Sequence, residues 1–209
     1  MEKFSTLTAI AAPLPIDNLD TDQLMPKQFL RGIDKSGLAK GLLYHLRFDE
    51  NGQLRPDFVL NKKGFEQTRF IVSGPNFGCG SSREHAVWGL LQYGIRAVVA
   101  TGFGEIFYSN CFNNGLLAAK VSPEDALQLM NSLSADDPRE MTIDVVTQSI
   151  STGDLSCHFD IAPRHKTMLL EGLDMLGATM KDLELINSFA QKHRQQFSWM
   201  SDLAGKRLD

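Results

Sequence analysis

Residues 69–100 follow a strand, loop and helix pattern that restricts the fold of this chain more than any other stretch. Arg69–Ser73 is a short apolar run of strand type, and residues 84–93 place apolar side chains at helical spacing. Gly94 stands where a helix commonly ends, and Ile95–Ala100 is a second apolar run. The pattern predicts a right-handed parallel βαβ unit, and therefore an α/β fold with a mostly parallel central sheet and flanking helices.

The loop inside this unit has a composition suited to binding an anion. It reads GPNFGCGSS and is followed by Arg83. In a parallel βαβ unit such a loop lies at the carboxyl edge of the sheet, where α/β proteins bind ligands. Gly78 and Gly80 allow sharp backbone turns that expose N–H groups, and Arg83 supplies a planar cation that matches a carboxylate. The loop is therefore the first candidate for a binding site.

A purely structural interpretation of the same loop is also available. Ser81 and Glu84 have the spacing of a helix capping box, and Arg83 would then point into water. Capping accounts for Ser81 and Glu84, but it accounts neither for the glycines nor for Ser82 and Arg83. The binding interpretation explains more of the segment.

Composition limits the function classes that remain. The chain has 209 residues, 43% of them hydrophobic, which is enough for a full core in one domain with or without an appendage. A net charge of −4 argues against a nucleic-acid partner. The first residues lack the long apolar core of a secretory signal, and no run of about 18 apolar residues suggests a membrane span. A cytoplasmic protein is the simplest interpretation.

Three cysteines bear on cofactor binding. Cys79, Cys111 and Cys157 are widely spaced, and the closest two are 32 residues apart (111 − 79). This spacing fits neither a disulfide framework nor an iron–sulfur cluster held within one chain. We therefore expect this chain to bind no metal. Cys79 lies on the glycine loop, so a cysteine hydrolase or transferase is an alternative, with His85 as the nearest histidine in sequence.

Further elements follow from local patterns. Residues 34–66 are the least informative, although residues 37–46 favour a short helix. The other predicted elements are strands at Phe4–Ala12 and Leu116–Val121, helices at Gly104–Asn113, from Ser122 and at Thr179–Gln196, and a strand pair, Met141–Thr147 with Leu155–Ile161, around the turn at Gly153. The apolar stripe of the last helix predicts core packing more than a partner surface.

Three motifs together resemble one known family. Residues 74–86 read GPNFGCGSSREHA, residues 18–32 contain NLDTDQ and FLRG, and residues 102–115 contain GFGEIF and NCFNNG. In this order they resemble the small subunit of 3-isopropylmalate dehydratase (isopropylmalate isomerase) and, more broadly, the swivelling fourth domain of aconitases. The resemblance is clear over about residues 1–175 and looser beyond.

The resemblance implies a fold, an activity and a partner. The fold would be the β/β/α arrangement of the aconitase swivelling domain, as a single domain over residues 1–209 with a C-terminal helical extension over 163–209 packed on or beside it. The activity would be a hydro-lyase that isomerises 2- and 3-isopropylmalate in leucine biosynthesis. A large subunit would hold the [4Fe-4S] cluster and complete the enzyme. Alternatives are a related small subunit acting on homoaconitate, citraconate or dimethylmalate, and a non-catalytic anion-binding module.

The resemblance also assigns site residues. Ser81 would be the catalytic base and Asp22 a second catalytic residue, the active-site aspartate near that serine, although the spacing of Asp20 and Asp22 alone favours a turn cluster. Arg83 and Arg31 would hold the two carboxylates of the substrate. Leu30 would border the pocket for the isopropyl group. The remaining expected ligands share the glycine loop: Asn76, Gly78, Gly80 and Ser82.

Overall fold

The computed structural model describes residues 1–30 and 36–200. The chain divides into two compact units, Met1–Asp174 and Met175–Asp209. No helix in the described ranges is long and apolar enough to cross a membrane.

The first unit is built on one sheet. Within the described residues it has seven strands in the order β4-β3-β2-β1-β5-β6-β7. Strands β1 to β4 pair in parallel, and β5 to β7 continue the sheet as an antiparallel meander next to β1. The strands are β1 Thr6–Leu14, β2 Thr68–Ser73, β3 Ala97–Ala100, β4 Leu117–Lys120, β5 Arg139–Asp144, β6 Ser149–Thr152 and β7 Leu155–His158.

Six α-helices belong to this unit within the described residues. Ser122 caps the fifth of them by accepting a hydrogen bond from the Asp125 N–H, as its sequence predicts. Residues 37–46 form only a 3₁₀ turn and one helical turn, because Leu43 between them adopts a left-handed φ of 52°. The helices are α1 Thr21–Leu24, α2 Tyr44–Arg47, α3 His85–Tyr93, α4 Glu105–Asn114, α5 Pro123–Ser132 and α6 Pro163–Glu171.

The predicted βαβ unit is confirmed as β2, α3 and β3, and α4 and β4 repeat the pattern. Gly94 ends α3 with a φ of 110°, and Gly115 ends α4 with a φ of 83°, both in the left-handed region that glycine tolerates. Strand β3 is buried along its whole length, as expected for a parallel strand covered on both faces. The carboxyl ends of β1, β2 and β3 therefore meet at one edge of the sheet.

The meander differs from its prediction. The strand that pairs across the Gly153 turn with β7 is β6, and not the segment Met141–Thr147. Before β6 the chain turns sharply, because the Asp144 carboxylate accepts the Thr147 N–H at 2.8 Å and Gln148 adopts a φ of 57°. This side-chain contact ends β5 at Asp144, inside the segment Met141–Thr147 that the sequence predicts as one strand.

Helix α6 is part of the first unit, and the second unit begins after it. The Phe4 N–H donates to the Leu169 carbonyl at 2.9 Å, which ties α6 to the start of β1. The second unit contains α7 Met175–Met180 and α8 Leu183–Gln196, where the sequence predicted one helix over Thr179–Gln196. Between the two helices the chain makes a turn, which is closed by a hydrogen bond from the Asp182 N–H to the Thr179 carbonyl.

The apolar stripe of the second unit is exposed. Met180, Leu183, Ile186 and Phe189 are between 40% and 68% accessible. Within the second unit itself these side chains are not enclosed, and core packing of the stripe stays a prediction. A helix of this length gains little stability from propensity alone, so its periodicity could not decide whether the face is buried.

Candidate active site

Three loops meet at the carboxyl edge of the parallel strands. The loop after β1 runs beside the glycine loop after β2, with bonds from the Gly78 N–H to the Leu19 carbonyl (2.7 Å) and from the Thr21 N–H to the Cys79 carbonyl (2.9 Å). The loop after β3 lies on the other side, where the Gly104 N–H donates to the Phe77 carbonyl at 2.9 Å. Backbone hydrogen bonds therefore fix the glycine loop from both sides.

Gly78 is required by both conformation and space. Its φ is 72°, and a β-carbon at this position would overlap the ring of Phe107. Phe107 is fully buried and packs edge-to-face with Phe77 at 5.5 Å between ring centroids. The glycine loop thus rests directly on the aromatic core beneath it.

Ser81 is the centre of a side-chain network and not a helix cap. Helix α3 has Glu84 at its N-cap with no side-chain capping bond, so the capping-box interpretation is wrong. Glu84 instead accepts a bond from the Asn114 amide at 3.3 Å. The Ser81 hydroxyl lies 3.0 Å from Arg83 Nε and 2.9 Å from Thr21 Oγ1. Ser81 is half-buried and lines a cavity.

Arg83 connects this serine to the loop after β1. Its Nε donates to Ser81 Oγ, and its Nη2 lies 3.0 Å from Asp22 Oδ1. Asp22 belongs to the first turn of α1, while Asp20 caps that helix in a reciprocal capping box with Gln23. The turn-cluster interpretation therefore holds for Asp20, and Asp22 has a separate contact with Arg83.

Thr21 is a site residue that sequence reasoning did not select. It is buried, with 4% of its surface accessible, and its Oγ1 accepts the Ser81 N–H at 3.0 Å in addition to contacting the Ser81 hydroxyl. The available signal was its position between two aspartates of the N-terminal motif. Its importance depends on a contact across 60 residues of sequence, which local patterns do not reveal.

These contacts have a clear electrostatic consequence. A serine hydroxyl is a weak base unless the alkoxide is stabilised. Arg83 Nε can only donate, and the Thr21 hydroxyl, which can donate or accept toward the neutral serine, donates to Ser81 Oγ once that oxygen is an alkoxide. Two donors therefore converge on Ser81 Oγ, one of them charged, which favours a negatively charged oxygen there.

The other predicted side-chain ligands have different surroundings from those of Ser81. Leu30 is half-buried and lines a small depression together with Thr21 and Arg83. Ser82 is exposed, and the amide of Asn76 donates to Asn18 Oδ1 at 2.9 Å, in the outer part of the loop. Arg31 lies outside the described residues.

Two cavities open beside the network. One, of about 230 Å³, is lined by Ser81 with Cys79, Gly80 and the first turn of α4. The other, of about 420 Å³, is lined by Asp22 with Lys27 and His45 among others. Ser81 therefore borders the smaller cavity, and Asp22 borders the larger one.

The cysteines do not form a cluster-binding set. Burial raises the pKa of Cys111 well above its usual value and that of Cys157 to about 11, so both thiols stay protonated at neutral pH. Cys79 Sγ contacts the Asn18 carbonyl at 3.4 Å, and His85 packs on Trp88 instead of on this thiol. Among residues 1–30 and 36–200, no three His, Cys, Asp or Glu residues are grouped to hold a metal. The three cysteines, which all lie in the described ranges, therefore do not fit an iron–sulfur cluster.

Comparison with known proteins agrees with this geometry. Residues 1–124 match the family model of the aconitase C-terminal domain. The chain is 52% identical over 198 residues to the 3-isopropylmalate dehydratase small subunit 1 of Chromobacterium violaceum, covering 95% of this chain and 93% of the relative. It is 48% identical over 202 residues to the 3-isopropylmalate dehydratase small subunit of Brucella canis, covering 95% of this chain and 100% of the relative.

A solved structure supports the fold. The crystal structure of 3-isopropylmalate dehydratase (LeuD) from Methanocaldococcus jannaschii superposes with a TM-score of 0.62 at 28% identity, over 88% of this chain and 99% of that one. The predicted aconitase-type fold is therefore confirmed. From these sequence matches and this fold, we conclude that the chain belongs to the family of 3-isopropylmalate dehydratase small subunits.

Proposed function

We propose that this chain is the small subunit of a 3-isopropylmalate dehydratase, a hydro-lyase that interconverts 2- and 3-isopropylmalate in leucine biosynthesis. The relatives that carry this name match almost the whole chain. The single structural observation that supports the proposal best is the hydroxyl of Ser81, which meets Arg83 Nε at 3.0 Å and Thr21 Oγ1 at 2.9 Å.

The reaction needs a base at this place. Water is eliminated from a hydroxy-dicarboxylate and added back with the hydroxyl on the neighbouring carbon, so a proton must leave carbon and later return. As an alkoxide, Ser81 takes that proton on Oγ and becomes the neutral hydroxyl. Re-addition reverses the step, and Ser81 Oγ returns the proton to carbon. Thr21 and Arg83 stabilise the charged form of Ser81 between turnovers.

Arg83 has donors left for the substrate. A guanidinium has five N–H donors, and the contacts with Ser81 and Asp22 use two of the three nitrogens of Arg83. We assign one remaining edge of Arg83 to a substrate carboxylate, which would bring the acidic C–H toward Ser81. Asp22 acts as a positioning residue, because its contact is with Arg83. Leu30 beside Arg83 suits the isopropyl group, and Arg31 is proposed for the second carboxylate.

The partner supplies the remaining chemistry. Loss of the substrate hydroxyl is assisted by a Lewis acid, and a [4Fe-4S] cluster would provide one when bound. Because the cysteines of this chain do not fit a cluster, we assign the cluster to a large subunit. The active site is then shared between two chains, and this chain alone is expected to be inactive.

Reconstitution of the pair tests the proposal. The chain is mixed with the cluster-loaded large subunit, and formation of the unsaturated intermediate is followed by absorbance. Ser81→Ala is expected to assemble but to lose about 10²- to 10⁴-fold in kcat, the range for loss of a positioned base. Ser156→Ala, at an exposed hydroxyl on β7 away from these loops, is the matched control and should keep most of the activity. A Ser81→Ala pair with near-normal kcat would remove the serine from this role.

Related substrates are distinguished by the same assay. Homoaconitate, citraconate and dimethylmalate share the dicarboxylate and differ in the third substituent, so their kcat/KM values identify the physiological substrate. A non-catalytic anion-binding role would be indicated by full activity of the large subunit in the absence of this chain.

A further inference from the structure

One exposed apolar side chain borders the cavity that contains Ser81. Ile106, in the first turn of α4, is 53% accessible and lines the cavity of about 230 Å³ together with Ser81, Cys79 and Glu105. Exposed apolar side chains also occur elsewhere on this unit, for example Leu127 at 61%, and single ones need no explanation. The position of Ile106 beside the proposed base is what distinguishes it.

The backbone holds Ile106 rigidly relative to Ser81. Helix α4 starts directly after Gly104, whose N–H donates to the Phe77 carbonyl at 2.9 Å. Gly104 is packed so closely on the glycine loop that a β-carbon would lie 2.5 Å from the Gly78 carbonyl oxygen. Phe107, the next residue after Ile106, is buried against Gly78. Ile106 is therefore presented by a fixed helix start, at low entropic cost for binding.

The proposed reaction determines what must cover this side of Ser81. This step rests on the proposed function, in which the leaving hydroxyl and the C–H attacked by Ser81 lie on neighbouring carbons of one small molecule. The Lewis acid of the large subunit must then come within the length of that molecule from Ser81. Exposed residues that share the Ser81 cavity consequently face the large subunit in the assembled enzyme.

We propose that Ile106 is an apolar anchor of the interface with the large subunit. Interfaces derive most of their affinity from a few buried anchors surrounded by polar groups. Ile106 has this arrangement, because the exposed carboxylate of Glu105 and the polar glycine loop lie around it. The matching surface of the large subunit is an apolar pocket next to its cluster site.

Binding between the full chains tests the proposal without any substrate. The Kd for the cluster-loaded large subunit is measured for wild type, Ile106→Ala, Ile106→Asp and the conservative Ile106→Leu. We expect Ile106→Ala to raise the Kd roughly tenfold and Ile106→Asp by about 100-fold or more, with Ile106→Leu close to wild type. Leu127→Asp on α5, which does not line this cavity, is the matched control and should leave the Kd unchanged.

Each outcome decides the question. A wild-type Kd for Ile106→Asp and Ile106→Ala overturns the proposal. If the Kd is unchanged while KM for isopropylmalate rises, Ile106 is a wall of the substrate pocket, and the interface proposal is wrong. If Ile106→Asp unfolds, as circular dichroism would reveal, the Ala and Leu variants carry the test. A wild-type pair that binds tightly but does not convert isopropylmalate refutes the proposed function, and the Kd series still decides the role of Ile106.

Discussion

Thr21 Oγ1 lies 2.9 Å from Ser81 Oγ and also accepts the Ser81 N–H at 3.0 Å. This double contact joins the loop after β1 to the glycine loop after β2. It holds the serine oxygen beside Arg83 and supplies a second donor when that oxygen is deprotonated. The threonine hydroxyl thus acts on the geometry and on the charge of the proposed base at once.

Removal of the Thr21 hydroxyl should therefore impair turnover. Thr21→Val keeps the shape but loses both hydrogen bonds, and kcat of the reconstituted pair is expected to fall about 10²-fold, as for loss of one oxyanion donor. Thr21→Ser keeps the hydroxyl and should retain most of kcat. Steady-state kinetics compare the two, and equal kcat values for them would contradict a donor role for Thr21.

The geometry of Arg83 matters as well as its charge. Arg83→Lys keeps a cation near Asp22 but cannot maintain both the Nε bond to Ser81 and a fork toward a carboxylate. We expect kcat/KM to fall about 10- to 100-fold, which corresponds to about 1.4–2.7 kcal/mol of transition-state stabilisation. The exposed Arg164→Lys is the control. Wild-type kcat/KM in Arg83→Lys would mean that charge alone suffices.

Cys79 should be the thiol that reacts first. Cys111 and Cys157 are buried, and their raised pKa values keep them protonated at neutral pH, whereas Cys79 is half-buried on the glycine loop. Brief treatment of the folded chain with iodoacetamide is expected to add one equivalent, located at Cys79 by peptide mass spectrometry. The adduct lies in the Ser81 cavity and should lower the activity of the reconstituted pair. Cys79→Ser should keep its activity after the same iodoacetamide treatment. Labelling of Cys111 first would contradict the prediction.

His165 should make stability depend on pH. Burial, together with the nearby Arg164, lowers its folded pKa below the ordinary value, and its ring stacks on Phe112 at 4.1 Å between centroids. Protonation therefore favours the unfolded chain, so the stability present above the unfolded pKa of about 6.5 is lost as pH falls toward the folded pKa.

Urea midpoints at pH 7.5 and 5.5 measure this effect. His165→Phe keeps an aromatic ring but cannot titrate, so its midpoint should fall less between the two pH values than that of wild type. An identical pH dependence in His165→Phe and wild type would exclude His165 as the responsible group.

Gly78 should tolerate no side chain. Gly78→Ala combines a left-handed backbone with overlap on Phe107, and a loss of about 2–4 kcal/mol in unfolding free energy is expected. Gly153→Ala has a similar φ of 55° but open space around it, so about 1–2 kcal/mol is expected there. Urea unfolding of the two variants separates steric overlap from backbone strain, and equal losses would show that Phe107 moves aside.

The sequence by itself determined the features that depend on local pattern. The hydrophobic periodicity predicts strand β2 and helix α3. The end of α3 at Gly94 could be predicted because glycine readily adopts a φ of 110°. Three short motifs, one of them around Ser81, also identified the family, because their occurrence in one order is specific. Arg83 could be selected because a cation beside a glycine-rich loop has few purely structural explanations.

Only the tertiary structure decided which side chains meet. The contact of Thr21 with Ser81 spans 60 residues, and the role of Asp22 as a partner of Arg83 depends on the parallel pairing of β1 with β2. The Asp144 turn that precedes β6 likewise cannot be inferred from periodicity. Hydrogen bonds and burial between distant segments are set when the elements pack, so local pattern cannot specify them.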